Sequence, residues 1–362
     1  MLATNTIHNM DCIRGMKMLP DASVQCCVTS PPYWGLRDYG IEEQYGLEPT
    51  PEEYLLKMVE VFAEVKRILK PDGTVWLNIG DAYWGSGKAG KDPLYQAKHT
   101  EFGKPSTHTS RFGIPTTGKH PTLKAKDLIG LPWMLAFALR DAGWYLRQDI
   151  IWHKPNPLPE SVMDRCTKSH EYIFLLTKSP KYYFDQQAIK TPLKDSSVLR
   201  LLQDIELQKG SDRIPGKTNG PMKARVSGRK PRPGIDVNGG NQAKGHIPMG
   251  VEGTSFKGHR GNFKANGELI GGSLANKRSV WLVATKPFKE AHFATYPEEL
   301  IVDCIKAGSK ENDLILDPFM GAGTTALVAA LLNRKFIGFE LNPEYIKIAN
   351  KRLQDRLGLF YL

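Results

Sequence analysis

Cysteine, long apolar runs and, in one stretch, aromatic residues are what this sequence has little of. Its five cysteines, Cys12, Cys26, Cys27, Cys166 and Cys304, include no Cys-x-x-Cys pair. That spacing argues against a structural zinc site and against a disulfide framework. Most of the five are expected as small buried hydrophobes, with Cys26 and Cys27 on opposite faces of one strand. No apolar run approaches the ~20 residues of a membrane span. The first residues, MLATNT, have neither the basic-then-apolar pattern of a signal peptide nor the arginines of a transit peptide, so the expected location is the cytoplasm. Over residues 209–278 the only aromatics are Phe256 and Phe263, among 15 Gly and 5 Pro. Such a stretch buries little apolar area against its ordering entropy. It reads as an irregular insertion that orders on a polyanion, with a plain linker as the alternative.

Acidic residues are also scarce there. Residues 209–278 hold 14 Lys and Arg against 4 Asp and Glu, a balance of +10, and the whole chain of 362 residues has a formal charge of +11. Nearly all the excess therefore lies in one fifth of the chain. A basic surplus of this kind favours a polyanionic partner, although ribosome-associated and membrane-surface proteins carry one too. The length suffices for one large domain or two smaller ones.

What is present elsewhere is a repeating α/β pattern. Residues 22–28 read as a buried strand. Thr50-Pro51-Glu52-Glu53 is a helix start, with a cap, a first-turn proline and acids, and Leu55, Val59, Phe62, Val65 and Leu69 follow at helical spacing. Residues 70–73 end that helix, and 74–79 form a strand. Residues 85–124 lack periodicity and read as a long mobile loop, of a length that is usually functional or disordered. A helix is expected over 131–142, strands over 145–152, 171–177 and 279–284, and a short helix within 190–208. Tyr296-Pro297-Glu298-Glu299 opens another helix, with Gly308 as its C-cap. Strand 314–316, a glycine loop, helix 325–333, strand 335–339 and a last helix from Asn342-Pro343-Glu344 complete the chain. The organisation expected is residues 1–189 and 279–362 in one α/β domain, interrupted by a basic region over 190–278.

Two constellations carry chemistry. The first is Thr29-Ser30-Pro31-Pro32-Tyr33-Trp34, directly after the first buried strand. Two prolines end any regular structure, since neither donates an N–H and both fix φ. The tip is therefore stiff, and its carbonyls are expected to be free acceptors beside an aromatic face. Such a cluster suits a planar, amino-bearing base; the bland alternative is a turn. Trp34 extends the wall or belongs to the core. The second is Gly321-x-Gly323 between a strand and a helix, with Glu340 ending the next strand 17 residues on. Glycines let a ligand approach the backbone, and the acid accepts from ribose hydroxyls, as in nucleotide-type sites and in dinucleotide folds.

Asp-Pro-Phe-x-Gly-x-Gly-Thr-Thr over 317–325, Glu340 and Ser-Pro-Pro-Tyr over 30–33 together closely resemble the amino-group DNA methyltransferases that use S-adenosylmethionine. The order resembles their β class: Ser-Pro-Pro-Tyr first, a basic variable region between, the glycine loop last. Residues 291–300 (AHFATYPEEL), Asn9-Met10-Asp11-Cys12 and Leu19-Pro20-Asp21 are similar to that class as well. The resemblance covers roughly 1–85, 125–185 and 279–357, but does not extend convincingly into 190–278, where such enzymes place target recognition.

The resemblance implies a Rossmann-like methyltransferase fold, with a mixed sheet, helices on both faces and a circularly permuted motif order. It implies S-adenosyl-L-methionine held by Asp11, Asp317, Phe319, Gly321, Gly323, Thr324, Thr325 and Glu340, with N-capping as the plainer role of the two threonines. The catalytic residues implied are Ser30, Pro31, Pro32 and Tyr33, with no metal and no cysteine nucleophile. Double-stranded DNA is the implied partner. A cognate restriction endonuclease and a homodimer fit the same resemblance, and no membrane does. The resemblance further implies that the target nucleotide flips out of the duplex. On the same resemblance Tyr33 is expected to stack on the base, and Ser30 Oγ and the Pro31 carbonyl to accept from its exocyclic amine. A serine at the first position favours cytosine N4 over adenine N6. Methylation of RNA or of a protein glutamine, and non-catalytic DNA binding, are the alternatives. Asn156 is expected either to contact the base or backbone or to form a turn; His292 is expected to be structural or to lie at the cofactor's edge.

Overall fold

The computed structural model describes residues 2–36, 41, 43–85, 120–193, 274–286 and 295–358. Most of the loop expected over 85–124 lies outside the described residues. So do His292, the helix within 190–208 beyond Leu193, and the basic insertion up to residue 273. The chain divides into two compact units, Met1–Ile189 with Arg278–Leu362, and Lys190–Lys277. In the second, β6 (Thr191–Pro192) pairs antiparallel with β7 (Leu274–Ala275).

The first unit is built on an eight-stranded mixed sheet. Its strands are β1 (Thr6–Asn9), β2 (Val24–Thr29), β3 (Leu69–Ile79), β4 (Tyr145–His153), β5 (His170–Thr177), β8 (Val280–Leu282), β9 (Leu314–Asp317) and β10 (Lys335–Glu340). They lie in the order β1-β10-β9-β2-β3-β5-β4-β8. Neighbours from β1 to β3 run parallel, and β5 is antiparallel to both β3 and β4. Strands β9 and β10, from the far end of the chain, therefore lie between β1 and β2.

Helices cover both faces. On one face α1 (Cys12–Lys17), α2 (Pro51–Ile68) and α3 (Leu131–Asp141) pack on Cys27, Val75, Leu77 and Phe174. On the other, α4 (Glu298–Gly308), α5 (Thr324–Leu331) and α6 (Pro343–Leu357) pack on Cys26, Trp76, Ile173 and Ile315. Cys26 and Cys27 thus enter opposite cores, as the pleat requires. Four of the cysteines are buried, and Cys166 is exposed. Burial pushes the Cys12 and Cys26 thiols up to about 12.

Several boundaries depart from expectation for physical reasons. In α2 the Thr50 side chain accepts from Glu53 N at 3.2 Å, as a cap should. Its buried stripe, however, is Tyr54, Met58, Val61, Phe62, Val65 and Ile68. Leu55 and Val59 sit at the margin of that stripe. Residues 70–73 do not form a separate loop: β3 begins at Leu69, opposite Val24, and a bulge between Val24 and Cys26 absorbs the extra length. Gly308 is the last helical residue of α4 rather than its cap. A Cβ there would stand 2.6 Å from Thr74 Oγ1 and 2.8 Å from Cys26 Sγ, so this glycine lets the helix end lie on the sheet.

Candidate active site

Because β9 and β2 are neighbours, the two constellations meet at the carboxyl edge of the parallel strands, where open α/β sheets bind ligands. The join is made by Asp317. Its Oδ1 accepts from Thr29 Oγ1 at 2.6 Å and from Phe319 N at 3.0 Å. Its Oδ2 accepts from Thr325 Oγ1 at 2.7 Å and Tyr296 OH at 3.1 Å. Four internal donors engage this carboxylate, which is buried. It therefore ties β2, β9, α5 and Tyr296 together and does not face outward as a lining group. Burial raises its pKa, against the pull of those four donors.

The threonines also differ from their plainer reading, because neither caps α5. The cap position belongs to Gly323, which has φ 77° and no side-chain hydrogen bond. Thr324 Oγ1 accepts from Arg352 Nη1 at 3.2 Å, and Thr325 donates inward to Asp317. Gly323 is required twice over: by its left-handed φ, and because a Cβ would stand 2.7 Å from Ala349 Cβ. Gly321, with φ 52°, has no atom nearer than 4.0 Å to a Cβ position, so its outer side is open.

Glu340 lies beside that open side. Its Oε2 accepts from Gly321 N and its Oε1 from Asn342 N, both at 2.8 Å. Backbone donors to the two oxygens still leave a lone pair for a hydroxyl. Burial, with Asp317 nearby, raises the Glu340 pKa. Strand β1 pairs Asn9 with Glu340 and brings Asp11 to the same edge. Asp11 caps α1 through Arg14 N at 2.9 Å and accepts from Tyr45 OH at 2.9 Å. The Tyr45 ring meets Phe319 edge-on at 5.5 Å between centroids. Two carboxylates, two aromatic rings and an open glycine backbone thus share one end of the site.

At the other end, the Ser30–Tyr33 tip is braced from behind. Tyr54 OH donates to Pro32 O at 3.0 Å, and Leu36 N donates to Tyr33 O at 3.2 Å. The expectation of freely accepting tip carbonyls fails for these two. Among the described residues the Pro31 carbonyl has no partner. Trp34 belongs to the core: it is fully buried, stacks on Trp84 at 6.0 Å and donates to Glu48 O at 2.8 Å. The Tyr33 ring lies against Gly80, where a Cβ would come within 2.6 Å of its Cε2.

Three polar residues around Tyr33 escape sequence reasoning. Tyr33 OH donates to Glu171 Oε2 at 2.8 Å and lies 3.3 Å from Asn78 Oδ1. Lys154 Nζ pairs with Glu171 Oε1. They come from β3, from β5 and from the segment after β4, and no spacing in the chain links them to residue 33. Burial, then the Glu171 charge, pushes the Tyr33 phenol well above its ordinary value. Asp81, at the same edge, accepts from Gly130 N and Leu131 N at the start of α3. Burial lowers the pKa of nearby Lys168, against the pull of Asp81. Asn156 makes a clasp, accepting from Thr285 N at 2.9 Å and donating to Thr285 O at 3.0 Å. A groove of about 360 Å³ lined by Lys66, Arg67, Trp144 and Lys178 lies at the opposite end of the sheet. Its three cations donate to backbone carbonyls of 16, 19, 69, 142 and 143, so it offers no competing site.

A family model described as DNA methylase matches residues 24–351. The chain belongs to the DNA methylase family. Type II methyltransferase M.XycI of Xanthomonas campestris pv. cyanopsidis is 41% identical over 356 residues, covering 98% of this chain and 89% of that protein. Type II methyltransferase M.Cfr9I of Citrobacter freundii is 40% identical over 349 residues, covering 96% and 87%. Among solved structures, the fold of this DNA methylase resembles PvuII DNA methyltransferase (cytosine-N4-specific), with TM-score 0.53 and 17% identity over 96% of this chain and 87% of that one. It also resembles TTHA0409 of Thermus thermophilus, solved in complex with S-adenosyl-L-methionine, with TM-score 0.50 and 20% identity over 97% and 93%. The α/β fold with a mixed sheet thus agrees with expectation.

Proposed function

We propose that this DNA methylase transfers a methyl group from S-adenosyl-L-methionine to the exocyclic N4 of cytosine in duplex DNA, at a specific sequence. The observation that carries this reading is the meeting of Ser30–Tyr33 with Gly321, Gly323 and Glu340 at one sheet edge, tied by Thr29 and Asp317 at 2.6 Å.

The residues present fit the donor. Glu340 keeps a lone pair for a ribose hydroxyl, the open side of Gly321 admits a ligand to the backbone, and Phe319 with Tyr45 offers aromatic surface to an adenine. Asp11 stands at that adenosine end. Gly323, Asp317, Thr324 and Thr325 act indirectly, by fixing the loop that Gly321 opens. The donor, when bound, supplies an electrophilic methyl group on a sulfonium.

The chain's own task at the other end is orientation. An exocyclic amine is a poor nucleophile while its lone pair is conjugated with the ring. Ser30 Oγ and the Pro31 carbonyl accept from that amine, weaken the conjugation and aim the nitrogen at the methyl carbon. Tyr33 stacks on the extruded base, and Pro32 holds the tip through its carbonyl. Alignment of two reactants in this way supplies much of the acceleration. Serine at position 30 favours cytosine over adenine. Residues 190–278 are the proposed target-recognition region, on their charge. A cognate restriction endonuclease and a homodimeric state belong to the same reading, through the motif resemblance alone.

The test is transfer of labelled methyl from S-adenosylmethionine to duplex DNA by the wild type, S30A and Y33A. Loss of transfer in both variants with retained donor binding supports the site; full activity in S30A would refute it.

A further inference from the structure

The chemistry asks Ser30 to accept a hydrogen bond from an amine, yet a serine hydroxyl carries a proton of its own. Unless that proton is parked elsewhere, the hydroxyl rotates and donates as readily as it accepts. The surroundings of Tyr33 bear on where the proton goes. Tyr33 OH faces two acceptors, Glu171 Oε2 at 2.8 Å and Asn78 Oδ1 at 3.3 Å. The orientation of the Asn78 amide follows from its neighbours. Its nitrogen lies 3.1 Å from the Tyr172 carbonyl and 3.2 Å from Glu171 Oε2, and both of those only accept. Its oxygen must therefore point at Tyr33. The single phenol proton is drawn toward these two acceptors and away from Ser30. The phenol oxygen then turns a lone pair toward Ser30 Oγ, 3.4 Å away, and Ser30 donates to it.

The far end of this chain is anchored. Lys154 Nζ pairs with Glu171 Oε1, and both side chains are more than four-fifths buried. Lys154 itself lies over the Trp152 ring at 4.4 Å. Glu171 stands next to Tyr172, which is opposite Ile79 across β3 and β5, so the sheet itself delivers the carboxylate to the tip.

We infer that Glu171 is a positioning residue. Held by Lys154, it fixes the polarity of the chain Ser30→Tyr33→Glu171, so that Ser30 presents only lone pairs to the target base. This assignment rests on the proposed methyltransferase reading and deepens it. A serine locked as an acceptor suits an amino group and disfavours a carbonyl at the same place, so the device also sets which bases the site holds. Glu171 touches neither base nor donor; it acts through the Tyr33 hydroxyl.

A double-mutant cycle tests this. E171Q replaces an acceptor-only group with an amide that donates as well. Y33F keeps the ring and removes the relay. The expected result is at least a tenfold fall in the single-turnover methyl-transfer rate for E171Q, with DNA and donor dissociation constants within twofold of wild type. Y33F falls by a similar factor, and E171Q changes the rate by less than twofold in the Y33F background. N78A, which leaves the Glu171–Lys154 pair in place, shows a smaller loss that also vanishes with Y33F. It serves as the probe should E171Q fold poorly. A wild-type rate in E171Q, or an equal loss in both backgrounds, would overturn this inference alone. Absence of any transfer by the wild type would overturn the proposed function, and the inference with it.

Discussion

Asp317 concentrates four donors on two buried oxygens, and its behaviour can be measured apart from activity. D317A orphans those donors, and the expected loss of stability is on the order of 3 kcal/mol. The pH dependence has a definite sign. The folded state raises this pKa above its ordinary value of 3.8, chiefly by burial, so it holds the proton more tightly than the unfolded chain does. The stability linked to that proton is fully present below 3.8 and is lost as pH rises through the folded value. The gap between wild type and D317A should therefore narrow as pH rises above 3.8 in paired denaturant titrations. A gap that widened would reverse the assignment. At this scale the sequence was legible where chemistry leaves a local signature: two prolines after a buried strand, glycines before a helix, an acid at a strand end. It was silent on Glu171, Asn78 and Lys154, whose meeting with Tyr33 depends on which strands become neighbours. It also presented Asp317, Thr324 and Thr325 as outward groups, although their hydrogen bonds turn them inward.

The glycine loop and the short elements around it show what an element requires. Gly321 and Gly323 both have positive φ, yet only Gly323 is crowded by Ala349. G323A is expected to lower stability by about 2 kcal/mol or more, from overpacking and left-handed strain together. G321A carries the strain alone, about 1 kcal/mol, but intrudes on the open side. Its donor affinity should fall further than its stability. Thermal melts and donor titrations on both variants check the pair, and equal profiles would remove the distinction. Elements with a long repeat, such as α2, were readable from spacing: Phe62 and Val65 are buried as expected, while Tyr54 and Met58 take the buried places expected of Leu55 and Val59. Strand β1 and helix α1 were not readable, being four and six residues long. A segment that short has no usable period; β1 exists because Asn5 to Asn9 pairs with β10, more than 300 residues away.

For the whole molecule, strand order brings together two constellations whose linked residues, Thr29 and Asp317, stand 288 positions apart in the chain. The expectation of a mixed α/β sheet holds: β9 and β10 lie parallel between β1 and β2, and β5 runs antiparallel to both its neighbours. Charge acts at this scale too. With +11 overall and +10 of it within 209–278, DNA affinity should fall steeply with salt. About six phosphate contacts would give a log–log slope near −5. Charge-neutralising substitutions within 209–278 should flatten that slope and leave donor affinity unchanged; a slope near zero in the wild type would contradict the proposed role of the region.

Methyl transfer to cytosine N4 is tested directly by nucleoside mass spectrometry of duplex DNA from a methylation-free host after incubation with the protein and S-adenosylmethionine. N4-methylcytosine is the expected product. N6-methyladenine would keep the fold and site but contradict the reading of Ser30. Labelled methyl on RNA or protein, with none on DNA, would contradict the claim itself.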